Sequence, residues 1–75
     1  MYKLPRLSGK EIIKILSKIG FLPARQKGSH IILKKQTEEG EKALVVPNHK
    51  EVDRGTLIEI IRQAGLKKEE FLNLK

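Results

Sequence analysis

The sequence predicts an α+β domain of order α-β-β-β-α, a three-stranded antiparallel sheet with both helices on one face. Three observations lead there. Segments near both ends repeat apolar residues at helical spacing. Between them the period falls to two, broken at two places by turn residues. The chain has 75 residues, which argues for one domain spanning 1–75. A sheet this small can cover one face with both helices and leave the other open.

"LSGKEIIKILSKIGF" is the first helix. Ser8 and Glu11 have the spacing of a capping box, each side chain satisfying the other's backbone N–H. Ile12, Ile15, Leu16 and Ile19 fall on one face; Lys10, Lys14 and Lys18 recur every four residues on another. Gly20 suits the left-handed position past the helix end, with Phe21 folding back on Leu16.

"FLPARQK" cannot remain helical because of Pro23, and reads as a strand with proline at its start or on an edge. Gly28-Ser29 fits a two-residue type II′ turn, which takes glycine first. "HIILKKQ" is the second strand, "TEEGE" the second turn and "KALVVP" the third strand. After the loop "NHKEVD", Asp53 caps a second helix, "RGTLIEIIRQAGL". Leu57, Ile58, Ile61 and Ala64 are its expected buried face, and Gly65-Leu66 repeats the ending of the first helix. "KKEEFLNLK" is long enough for a short terminal helix in which Phe71 and Leu72 dock.

Composition narrows the function. Cysteine is absent, so disulfides and thiolate metal sites are excluded. No apolar run approaches the ~20 residues of a membrane span, and "MYKLPRLSGK" has no apolar signal core; a cytoplasmic protein is expected. The net charge of +7 favours polyanions. There is no P-loop, dinucleotide-binding glycine pattern or zinc-protease motif. Asp53 is the sole aspartate, which leaves little from which to build a carboxylate metal centre, although His30 and His49 could join Glu51 or Asp53 around one ion. Neither a metal nor an organic cofactor is expected.

Metal-free histidine chemistry remains. Imidazole ordinarily titrates near pH 6.5, so it can take or give a proton at neutral pH. RNA carries its own nucleophile, the 2′-hydroxyl. A protein need only remove that proton, offset the charge at phosphorus and protonate the leaving oxygen. In "QKGSHIILKK" strand alternation puts Ile31 and Leu33 on one face and His30, Ile32 and Lys34 on the other. With the first pair against the helices, His30 and Lys34 project from the open face. The backbone of Gly28 and Ser29 offers N–H groups to a phosphate, and Arg25, Lys27, Lys34 and Lys35 supply charge. His49 can serve as a second proton-transfer group or phosphate ligand, and Lys50 as a phosphate contact. From chemistry alone His30 is either a solvated strand-end residue or a catalyst, and His49 either an exposed loop residue or its helper. With few aromatic residues, stacking of bases on an exposed sheet is not expected.

The ordered series "LSGKEIIKILSKIGF", "RQKGSH", "VPNH" and "GTLIEIIRQAGL" resembles the HicA toxins of prokaryotic toxin–antitoxin systems nearly end to end. The resemblance implies a double-stranded-RNA-binding-domain-like fold used as an mRNA interferase. It implies that the histidine of Gly-Ser-His, here His30, is catalytic, with a less secure role for His49. It also implies a HicB-like antitoxin that covers the active surface, on which Ile32 and either Leu44 or Val45 would leave apolar area exposed. The alternatives are a non-catalytic RNA-binding module on the same fold and an adaptor for an acidic protein.

Overall fold

A computed structural model describes residues 4–75; Tyr2, the remaining aromatic residue, lies outside them. Its elements are α1 (Gly9–Ser17), β1 (Leu22–Lys27), β2 (His30–Thr37), β3 (Gly40–Pro47), α2 (Arg54–Gln63) and α3 (Lys68–Asn73). The expected order is found, including the short terminal helix.

Both halves of the capping box form in α1. Glu11 N–H donates to Ser8 Oγ at 3.1 Å, and Ser8 N–H to Glu11 Oε1 at 3.0 Å. Past its end Gly20 takes φ +97°. Gly20 N–H then reaches the Ser17 carbonyl, and Phe21 N–H adds a second bond to the Leu16 carbonyl, which already accepts from Ile19; the turn sends Phe21 into the core. The end of α2 repeats this with Gly65 and Leu66, whose N–H groups donate to Arg62 and Ile61.

The strands pair antiparallel in the order β1-β2-β3. In the first hairpin only Gly28 of the two turn residues has positive φ, +61°, as a type II′ turn requires. Pro23 lies on an edge strand, beside a bulge where Ala24 is the unpaired extra residue between Pro23 and Arg25. Leu33, Leu44 and Val46 of the sheet are buried together with Ile12, Ile15 and Leu16 of α1, Leu57 and Ile61 of α2, and Phe71 of α3. All helices therefore share one side of the sheet. The shortest dimension, 17 Å, is that of one sheet and one helical layer.

One expected core position changes. Ile60 is buried in α2, whereas Ile58 is only half-buried. The inward positions 57, 60, 61 and 64 follow the i, i+3, i+4, i+7 spacing of a single helix face, which Ile58 leaves. Leu4, Leu7 and Val52 also join the core; Leu7 and Val52 form a short bridge that brings the chain ahead of α1 against the chain ahead of α2.

Candidate nucleic-acid interface

The face of the sheet away from the helices is organised by the cross-strand register. Lys27 stands opposite His30, which stands opposite Pro47; the next row is Arg25, Ile32 and Val45. Residues directly opposite have Cβ atoms about 5 Å apart. His30, Lys27 and Arg25 therefore share one exposed corner beside the Gly28-Ser29 turn. The turn is braced by Gln26, whose Nε2 donates to the Gly28 carbonyl at 3.0 Å. No side-chain hydrogen bond holds the His30 imidazole among the described residues, so the ring faces solvent.

The remaining cations divide. Lys34 is on the same face, but four residues along β2 places it about 13 Å from His30. Its Nζ lies 3.3 Å from Glu41 Oε1. Lys35 is turned to the helix side, where its ammonium lies 5.5 Å from the centre of the Phe21 ring. It shares no face with His30.

His49 reaches the corner by another route. Asn48 N–H donates to the Ser29 carbonyl at 2.6 Å, and Gly9 N–H donates to the His49 carbonyl at 2.9 Å. The segment Pro47–Lys50 is thus strung between the turn that carries His30 and the first turn of α1. Gly9 is required there: a Cβ on it would lie 2.2 Å from the Pro47 carbonyl oxygen. Glycine is a poor opening for a helix, and that was the sequence signal for this close approach. Asn48 gave no comparable signal, because it contributes a backbone group.

The carboxylates considered as co-ligands of the histidines have other neighbours. Asp53 accepts from Thr56 N–H at 3.1 Å and from Thr56 Oγ1–H at 2.7 Å. These bonds, the hydroxyl's first, hold its carboxyl below the ordinary value. Glu51 lies 3.9 Å from Arg6. Among the described residues no three His, Cys, Asp or Glu side chains gather as a metal site.

Apolar area is exposed on the same open face. Leu22 is 58% and Val45 44% exposed, and Ile32 is half-buried between them. Leu44, the other residue considered for this patch, is buried on the helix side. No described helix is long and apolar enough to cross a membrane.

Among known proteins, the family model described as the HicA toxin of bacterial toxin-antitoxin matches residues 9–66. No curated protein matches the chain.

Proposed function

Because the chain belongs to the HicA toxin family, the toxins of bacterial toxin–antitoxin pairs, we propose that it is a metal-independent endoribonuclease whose catalytic residue is His30. Its substrate is mRNA in the cytoplasm, and its action stops translation and growth. The observation that carries this reading is the corner itself: an imidazole paired across the strand with Lys27, one row from Arg25, on an uncovered face. His30 acts as general base on the 2′-hydroxyl or as general acid on the departing 5′-oxygen. Lys27 and Arg25 offset the charge that develops at phosphorus. Gly28 and Ser29 let the backbone approach the phosphate, while Lys34 and Lys50 contact neighbouring phosphates. Lys35, on the opposite face, has no part.

The 2′-oxygen bonds to phosphorus, its proton passes to a base, and the P–O5′ bond breaks as the leaving oxygen gains a proton. The products are a 2′,3′-cyclic phosphate and a 5′-hydroxyl. End-group analysis of RNA cut in the presence of EDTA tests this. Loss of all cleavage in EDTA, or 5′-phosphate ends, overturns it.

The antitoxin that the family implies is, in this reading, a HicB-like protein seated on the open face. It covers Leu22, Ile32 and Val45 and places acidic groups against Arg25 and Lys27. Replacing Leu22 and Val45 by lysine should release the protein from the neighbouring gene's product; unchanged co-purification would refute that seat.

A second reading is favoured by the absence, among the described residues, of any hydrogen bond orienting the His30 ring: a module that binds RNA without cutting it. Salt-dependent binding with no cleavage at any enzyme concentration is its signature.

A further inference from the structure

A second group of cations lies beside this corner, with no role in bond cleavage. A cleft of ≈ 270 Å³ opens between the first turn of α1 and the segment after β3, lined by Ser8, Lys10, Asn48, His49 and Lys50. Lys10 and Lys50 are exposed, and neither has an ion-pair partner among the described residues. Of the carboxylates next to them in sequence, Glu11 accepts from Ser8 N–H and Glu51 lies 3.9 Å from Arg6. Two uncompensated ammonium groups and an imidazole thus border one cleft, an arrangement that an anion stabilises.

The walls of the cleft are fixed. Gly9 N–H holds the His49 carbonyl, and the glycine's contact with Pro47 leaves no slack between α1 and the loop. The N–H groups of Gly9 and Glu11 are already spent, on His49 and on Ser8 Oγ. Of the first-turn N–H groups only that of Lys10 is left over, so the side-chain cations supply most of what would hold an anion. The cleft is also joined to the His30 corner, since Pro47 stands opposite His30 and Asn48 N–H is bonded to Ser29. A strand of RNA with one phosphate at His30 meets this cleft next if it follows Pro47–Asn48 toward α1.

We propose that the Lys10–His49–Lys50 cleft binds a backbone phosphate flanking the scissile one, so that the RNA strand leaves the His30 corner across the start of α1. The proposal rests on the endoribonuclease reading for its substrate. Lys10 is a binding residue here, remote from the reacting atoms.

The test is binding of a short fluorescein-labelled single-stranded RNA to the His30→Ala protein, followed by anisotropy across a salt series. In that background Lys10→Ala and Lys50→Ala should each weaken binding roughly threefold to tenfold and lower the slope of log K against log salt by about 0.7, one phosphate on a single strand. Lys10→Arg should keep the parent slope. Lys68→Ala, which removes the same charge from α3, should leave the slope unchanged. If Lys10→Ala and Lys50→Ala behave like Lys68→Ala, the subsite is refuted even where the wild-type protein cuts RNA. If the slopes fall as expected but the wild-type protein never cuts, the subsite stands and the nuclease reading fails. Absence of any RNA binding removes both.

Discussion

The N–H of Asn48 donates to the carbonyl of Ser29 at 2.6 Å, and this bond extends the His30–Pro47 pairing to join the two histidine-bearing segments. Ser29 immediately precedes His30, and Asn48 immediately precedes His49. Neither imidazole is braced through its own side chain among the described residues. Their relative placement is a property of the backbone, so substitutions at the rings and in the scaffold should have separable effects.

His30→Ala should abolish cleavage and leave stability within about 0.5 kcal/mol of the parent, the usual range for an exposed position. His49→Ala should cause only a partial loss, well short of the roughly hundredfold or greater cost of removing a proton-transfer group. Single-turnover cleavage beside urea unfolding measures both. A fully active His30→Ala protein would overturn its assignment.

Two glycine substitutions should act with opposite sign. A Cβ at Gly9 would sit 2.2 Å from a backbone oxygen, which cannot rotate away. Gly9→Ala should cost about 1–3 kcal/mol and also reduce cleavage by the folded fraction, because it displaces Pro47. At Gly55, inside α2, the nearest atom to a new Cβ is Asp53 Oδ2 at 3.4 Å. Gly55→Ala should therefore be neutral or stabilising by up to about 1 kcal/mol. Urea midpoints decide both.

Acid should destabilise the fold partly through the cap of α2. Thr56 lowers the folded-state pKa of Asp53 below its unfolded value. The unfolded chain then binds protons first as pH falls. The stabilisation is complete above the ordinary carboxylate range and is lost as pH drops through the folded value. Asp53→Asn keeps an N-cap oxygen that does not titrate. Its loss of melting temperature between about pH 7 and about pH 3 should be smaller than the parent's. It should not vanish, because Glu11 and Glu59 are lowered in the same direction. Equal losses in the two proteins would refute the linkage.

Phe71→Ala should be among the most damaging changes. Phe71 is fully buried although α3 lies beyond the family match at residue 66. Truncating such a ring costs about 3–5 kcal/mol, a large part of the roughly 5–15 kcal/mol available to a small domain. Thermal unfolding should lose its cooperative transition or shift far downward. A small shift would mean that α3 is dispensable.

The elements of this fold were legible because their punctuation is local. Ser8 with Glu11, Gly20 with Phe21, Gly28 with Ser29, and Gly65 with Leu66 each act within a few residues. The side of the sheet that His30 occupies was also readable, from the parity of Ile31 and Leu33. Lys35 was misjudged by nearness in sequence, since one step along a strand reverses its face. The contacts of Asn48 and Val52 were invisible because they are backbone meetings between segments distant in the chain, without a periodic signature; that of Gly9 was marked only by a glycine at the start of a helix. Ile58 was misassigned for a different reason: in an isoleucine-rich helix composition does not distinguish the inward face, and only exact helical spacing does.

The bulge at Ala24 reconciles two demands on one strand. Phe21, Arg25 and Lys27 are all odd-numbered, so an uninterrupted β1 would turn all three to the same side. The core needs Phe21 within, and the proposed cleavage corner needs Arg25 and Lys27 without. The extra residue changes parity midway and meets both. Deleting Ala24 would return the strand to regular pairing and force a choice: an emptied aromatic slot in the core, or an imidazole stripped of its cationic neighbours. A one-residue deletion on an edge strand would thereby set folding against activity.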